Sequence, residues 1–215
     1  MKETINFKSP ELEQRELFKE TTFFLNAGGR GTRLEGVVDK NEKTGISKAL
    51  IMLDGKPLIK WHIDHARKLG YQSIVVSAGD HSNVKQLVEN EPYGDQVKAE
   101  LVNEQKGTGG DLLQIIKQGG SFGKHILVDN VDSFVLLNEA AVLADHTEKG
   151  LAATIVLTGR KGVPNYNAWA VSDDGKVLDT LESNGKSSNP LTTDGVAYRG
   201  SSTGVVIFNT EWLQS

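Results

Sequence analysis

Apolar and polar positions fall in short blocks along this chain, and the blocks change period from one to the next. SPELEQRELFKE (9–20) sets Ser9 before a proline and places Leu12, Leu17 and Phe18 on one side, which predicts a short capped amphipathic helix standing outside the main fold. TTFFLNA (21–27), with Phe23, Phe24 and Leu25 at its centre and the glycine loop following it, reads as a buried first strand. PLIKWHIDHARKLG (57–70) carries Ile59, Ile63 and Ala66 at helical spacing and ends on Gly70, where a C-terminal glycine cap belongs. Strand SIVVSAG, helix HSNVKQLVEN, strand VKAELVNE, helix DLLQIIKQ, strand HILVDN and helix VLLNEAAVLADHTEKG follow in turn.

Strands of five or six apolar residues alternating with helices predict parallel βαβ units with right-handed crossovers. The fold class expected is therefore α/β, a doubly wound, mostly parallel sheet with both faces covered and with ligands at the carboxyl ends of its strands. After LAATIVLTG (151–159) the rhythm changes. AWAVSDDGKVLDTLE (168–182) reads as two strands around an Asp-Asp-Gly turn, and SNGKSSNPLTTDGVAYRGSS (183–202) as polar loop before a last apolar strand GVVIFN (204–209). That stretch predicts a small antiparallel β annex at the C-terminal end. The organisation expected is an N-terminal helical extension over 1–21 and one domain over 22–215.

Composition narrows the partners. The 215 residues are 38% hydrophobic and 24% charged with a net charge of −4, so the chain can bury a core and has no basic stretch to follow a nucleic-acid backbone or an anionic membrane. No cysteine is present, which excludes disulfides and thiolate metal sites. With no signal-peptide pattern and no apolar run of about 18 residues, a cytoplasmic protein is expected. His62 and His65 share a helix face at i, i+3 without a third ligand and read as surface residues, and Trp61 reads as core.

FFLNAGGRGTRL (23–34) holds the chemistry. A strand running into three glycines, two arginines and a threonine supplies backbone N–H groups that could ring a polyphosphate, with a planar guanidinium beside them. It is not a P-loop, since no Gly-Lys-Ser/Thr follows, and it is not a dinucleotide fingerprint, since Leu34 stands where the third glycine should be.

The segment Ala27-Gly28-Gly29-Arg30-Gly31-Thr32-Arg33-Leu34 resembles the signature loop of the sugar-1-phosphate nucleotidylyltransferases, and ISKALIMLDGKPLI (46–59) is similar to that family's lysine segment. EQKGTGGDLL (104–113) matches its nucleotide-selecting loop and helix, and ILVDNVD (126–132) its metal-binding strand end. The resemblance implies a Rossmann-like fold and a transferase that joins a nucleoside triphosphate to a sugar 1-phosphate, releasing pyrophosphate with Mg2+ as cofactor. It assigns Arg33, Lys48 and Asp132 to catalysis, with Asp132 holding the metal and Asp129 as its competitor. Leu25, Ala27, Gly28, Gly29, Arg30, Gly31, Thr32, Glu104, Gly107, Thr108 and Gly109 would bind the nucleotide, and Asn130, Glu182, Lys186, Ser202 and Thr203 the sugar substrate. Gly-Thr-Gly-Gly at 107–110 leans towards GTP, with UTP and CTP open. A homo-oligomer is compatible with the resemblance, which gives no role to nucleic acid or membrane.

The chain also departs from the family pattern. Thirteen residues, 35–47, separate Leu34 from Lys48 and predict a lid over the site. Ser47-Lys48-Ala49 replaces Pro-Lys-Pro, which loosens the backbone around the lysine, and Asn130-Val131-Asp132 replaces Asn-Gly-Asp. Ser183 stands where a lysine touches the sugar phosphate, so Lys186 is the substitute. Only TEWLQS follows Asn209, so truncation before a second metal aspartate is expected, with Asp194 or Asp129 as the alternative carboxylate. Two other classes remain: a glycosyltransferase, disfavoured because Asp129-x-x-Asp132 is not Asp-x-Asp, and a non-catalytic nucleotide-binding module.

Overall fold

The computed structural model describes residues 9–29, 47–102, 107–158, 168–181 and 195–215. Its contacts divide the chain into two compact units, Met1–Thr154 with Val206–Ser215, and Ile155–Val205.

The first unit is an α/β sandwich. Its strands are β1 (Thr21–Asn26), β4 (Ser73–Ser77), β5 (Val97–Glu100) and β6 (His125–Asn130), with the last residues of β10 (Tyr198–Asn209). The order is β5-β4-β1-β6-β10; the first four run parallel, and Val206–Asn209 of β10 lies antiparallel to β6. From β1 the chain moves to β4 and outward to β5, then returns to β6 on the other side of β1. The strand order therefore reverses at the β1/β6 pair, and the carboxyl ends of those two strands frame the crevice where such sheets take ligands.

Period-two alternation in TTFFLN sends Phe24 and Phe23 to opposite faces. Phe24 packs with Val75, Ile126 and Val128 of the neighbouring strands and with Leu112 and Ile115 of α4 (Gly107–Lys117). Phe23 stands edge-on to Tyr71 at 5.3 Å between ring centroids. Both phenylalanines are essentially unexposed, and each contributes about 2–3 kcal/mol by burial alone.

On the Phe23 face lies α1 (Pro10–Lys19), capped by Ser9, whose hydroxyl accepts from Leu12 N. This helix is packed onto the first unit and does not stand apart from it: Phe18 is 5% exposed, its ring is 4.9 Å from Tyr71, and Leu17 O accepts a bond from the Thr21 hydroxyl. The helix α2 (Leu58–Leu69) ends on Gly70 at φ 105°, the left-handed cap its position requires. A two-stranded hairpin, β2 (Met52–Leu53) and β3 (Lys56–Pro57), precedes it. Trp61 is on the hairpin side of α2, with Nε1 donating to Leu53 O at 3.0 Å and the Lys56 ammonium over its ring. At 36% exposure it is not a core residue, because a two-stranded hairpin covers only part of it.

Two further helices complete the unit, α3 (Ser82–Glu89) and α5 (Glu139–Glu148). α5 starts later than its apolar pattern suggests. Asn138 caps it by accepting from Ala141 N, so 135–137 stay outside the helix and Leu136 is fully exposed. After β10 a short helix α6 (Thr210–Gln214) is capped by Asn209.

In the second unit, β8 (Ala168–Val171) and β9 (Val177–Leu181) form the expected antiparallel pair, with a tight turn closed by Gly175 N donating to Ser172 O. The amino-terminal part of β10, Tyr198–Ser201, pairs antiparallel with β8. β10 therefore begins well before GVVIFN, inside the segment expected as polar loop.

Candidate functional site

The glycine loop begins at the end of β1. Ala27 N donates to Ser77 O at 2.9 Å, which draws the chain against the end of β4. The next residue sits so close to Gly79 that a Cβ on Gly28 would lie 2.8 Å from Gly79 N and 2.9 Å from Gly79 Cα. Two backbones meet here, and only glycine lets them. Gly29 has open space where its Cβ would be. Arg30, Gly31, Thr32 and Arg33, along with the rest of 30–46, lie outside the described residues, as do Glu104, Glu182, Lys186 and Asp194.

Beyond that gap the chain is fastened to the loop again. Ser47 is fully buried; its hydroxyl donates to Ala27 O at 3.2 Å and accepts from Ala49 N at 3.3 Å, capping a 3₁₀ turn over Lys48–Leu50. The sequence expectation was that losing two prolines loosens the lysine. Instead the Ser47 hydroxyl holds the backbone on one side, and Ala49, 0% exposed, anchors the other.

Lys48 is thereby aimed at the end of β6, and its Nζ lies 2.5 Å from Asp132 Oδ2. Both side chains remain partly open, at 28% and 43% exposure. Val131, which takes the place of a glycine, is buried at 3% and donates its N–H to Asn26 O, so the turn from β6 to Asp132 is pinned to β1. Asp132 enters the crevice as a solvent-reachable carboxylate paired with a lysine.

Asp129 is in a different position. Its carboxylate accepts from His62 Nδ1 at 3.0 Å and from Asn130 N at 2.8 Å, with only 13% of the side chain exposed. His62 is 5% exposed, and Phe134 stacks on its ring at 4.8 Å. The surface reading of His62 is thus overturned. The periodicity carried the signal: Ile59, His62, Ile63 and Ala66 form one buried stripe of α2. His65 does lie at the surface, 55% exposed, with Nε2 2.8 Å from Glu139 Oε1. Its hydrogen bond to Glu139 raises its pKa above the ordinary value. The other Glu139 oxygen accepts from Tyr71 at 2.7 Å, and burial pushes that phenol well above its usual range, with the Glu139 charge adding.

The third wall is the start of α4. Gly107, at φ 78°, and Thr108 open the helix, and Asn26 Nδ2 donates to Thr108 Oγ1 at 2.7 Å and to Asn130 Oδ1 at 3.1 Å. Asn26 and Asn130 are register partners in the β1/β6 ladder. Leu25 is wholly buried in β1, so its side chain packs, and Gly109 has open space around it. The structure therefore brings Gly28, Gly29, Lys48, Thr108, Asn130 and Asp132 to the ends of β1, β6 and α4. Asn26 and Ser47 join them without having been singled out by sequence, and so does His62, which the sequence reading had put at the surface. Ser202 and Thr203 belong to the second unit; Thr203 Oγ1 donates to Val156 O, and Ser202 Oγ accepts from Gly204 N.

Among the described residues no three His, Asp or Glu side chains cluster as an all-protein metal cage. A hard divalent cation that takes most of its oxygens from substrate phosphates and water needs only one or two carboxylates, and Asp132 fits that role. No described helix is long and apolar enough to cross a membrane.

Comparison with known proteins follows the same lines. The family model described as MobA-like NTP transferase domain matches residues 25–189. The bifunctional protein GlmU of Trichlorobacter lovleyi is 28% identical over 88% of this chain and 38% of its own length. A glucose-1-phosphate adenylyltransferase of Mannheimia succiniciproducens is 24% identical over 92% of this chain and 48% of its own. This chain therefore spans less than half the length of either relative. In fold it resembles the crystal structure of HddC from Yersinia pseudotuberculosis complexed with GMP-PN, with a TM-score of 0.64 and 21% identity over 88% of this chain and 77% of that one. With the resemblance of its glycine-arginine loop met by relatives of the same kind, the chain belongs to the MobA-like NTP transferase domain family.

Proposed function

We propose that this protein transfers a nucleotidyl group from a nucleoside triphosphate, GTP in preference, to a sugar 1-phosphate. The observation that carries the reading is the Lys48–Asp132 pair at the β1/β6 reversal, beside the close approach of Gly28 to Gly79. A phosphate oxygen of the sugar attacks the α-phosphorus, the bond from that phosphorus to the bridging oxygen of the β-phosphate breaks, and pyrophosphate leaves. Two polyanions have to meet, so the protein's work is positioning and charge neutralisation, and no nucleophilic side chain is called for.

In this reading the amides from Gly28 onward receive the triphosphate, and Lys48 leaves Asp132 to lie between the two phosphoryl groups. Asp132 is then free to hold Mg2+, which when bound neutralises phosphoryl charge as a Lewis acid. Asp129 stays with His62 and keeps the strand end in place. Arg33 takes the departing pyrophosphate, and Glu104 and Gly107–Gly109 read the base. Glu182, Lys186, Ser202 and Thr203 are the proposed contacts to the sugar.

The test is pyrophosphate release across a panel of nucleoside triphosphates and sugar 1-phosphates, with Mg2+ and with chelator. Release that needs both substrates and the metal supports the reading. Nucleotide binding without release under any combination would leave a binding module, and hydrolysis of a finished nucleotide-sugar would favour a glycosyltransferase.

A further inference from the structure

Ser47 makes two hydrogen bonds with one buried hydroxyl. It donates to Ala27 O, 20 residues earlier in the chain, and it accepts from Ala49 N, which caps the turn carrying Lys48. Ala27 is 1% exposed, and its own N–H is spent on Ser77 O at the end of β4. A buried carbonyl has to be bonded, and here Ser47 supplies the donor.

That bond has a consequence one atom further on. The peptide joining Ala27 to Gly28 is trans and planar, so holding the direction of Ala27 C=O also fixes Gly28 N–H in the opposite direction. Gly28 N–H is the first amide of the proposed triphosphate cradle, and Lys48 opens the capped turn. The same hydroxyl sets both.

The backbone separates this tie from the local shape of the turn. Ser47 has φ −58° and ψ 131°, values that proline adopts by itself. The shape is therefore available without a hydroxyl, whereas the bond to Ala27 O is not.

We propose that Ser47 is a positioning residue that locks the glycine loop to the Lys48 turn, so that the first amide of the cradle and the lysine are placed as one unit. This rests on the reading of Gly28 and Lys48 as groups that meet the phosphates.

The experiment is steady-state pyrophosphate release with Mg2+, GTP and the sugar 1-phosphate that the unaltered chain uses fastest. It compares Ser47→Ala, Ser47→Thr, Ser47→Pro, Lys48→Ala and the double variant Ser47→Ala/Lys48→Ala, each shown to be folded by thermal unfolding. Ser47→Ala should lower kcat/KM for GTP at least about tenfold, the size of one lost hydrogen bond that orients reacting groups. Ser47→Thr keeps the hydroxyl and should keep most of the rate. Ser47→Pro keeps the backbone shape without the tie and should be as slow as Ser47→Ala. The double variant should be slower than Lys48→Ala by less than the factor that Ser47→Ala costs alone, because the serine acts in part through the lysine.

Unchanged kcat/KM in folded Ser47→Ala overturns the inference while leaving the proposed function standing. Full rate in Ser47→Pro also overturns it, by making backbone shape the whole of the serine's role. Losses that multiply in the double variant overturn it too, since a merely structural residue acts independently of Lys48. Should Ser47→Thr or Ser47→Pro fail to fold, Ser47→Ala and the double variant decide alone. No release by the unaltered chain with any substrate pair overturns the inference together with the proposed function.

Discussion

Lys48 Nζ and Asp132 Oδ2 lie 2.5 Å apart although the residues are 84 positions apart in sequence. One comes from a capped turn after the glycine loop and the other from the end of β6, so their meeting defines the crevice. A partly exposed ion pair contributes only about 0–1 kcal/mol to stability, so this one is poorly explained as a fastening of the fold. Lys48→Ala should therefore leave the unfolding midpoint nearly unchanged and cut turnover at least about a hundredfold, as loss of one preorganised charge does. Thermal unfolding and pyrophosphate release on the same preparation check both halves. Arg33→Ala should show a loss of similar size.

Gly28→Ala puts a methyl group 2.8 Å from Gly79 N, where backbone faces backbone and nothing flexible can yield. The expected cost is about 1–3 kcal/mol of stability, with weakened triphosphate binding because the loop is displaced from the end of β4. Gly29→Ala, with open space around its Cβ, should be stable and serves as the control in urea unfolding.

His62→Ala removes the partner of a carboxylate that is 13% exposed. The variant should lose about 1–3 kcal/mol, since a buried acceptor is left unsatisfied and the stacking of Phe134 is lost. His62→Asn, which retains a donor, should recover part of this in the same unfolding assay.

Burial lowers the pKa of both His125 and His146 below the ordinary 6.5, with the two rings 5.1 Å apart. Above 6.5 both are neutral in the folded and unfolded chains and contribute nothing to the pH dependence. As pH falls through 6.5 the unfolded chain takes up protons that the folded chain refuses, so stability falls. His65 has the opposite sign, because its raised pKa stabilises the fold at low pH and this is lost as pH rises through the raised value. That contribution is small for a side chain 55% exposed. The urea midpoint should therefore drop between pH 7 and pH 5.5, and His146→Gln should flatten the drop.

Period and punctuation made much of the fold readable. TTFFLN, the Gly70 cap and the Ser9 cap each follow from local chemistry, and the strand-helix alternation implied the parallel sheet found. What escaped were features decided by neighbours distant in sequence. Trp61 looks like core until it is found 36% exposed, bonded to the hairpin through Leu53 O. His62 looks like surface until Asp129 is seen to hold it. The extent of β10 was hidden because its first half is polar and is held by pairing with β8. Lys48 and Asp132 were legible through the likeness of their motifs, whereas Asn26 and Ser47, which fasten the crevice, act through hydrogen bonds that no linear pattern announces.

The central claim is that Asp132 serves the reaction and not the fold. The direct measurement is Mg2+-dependent pyrophosphate release by Asp132→Asn, which keeps the shape of the side chain and removes its charge. The account predicts an unfolding midpoint close to that of the unaltered protein and no turnover above background at any Mg2+ concentration. Turnover near that of the unaltered protein, with the same dependence on Mg2+, would contradict it.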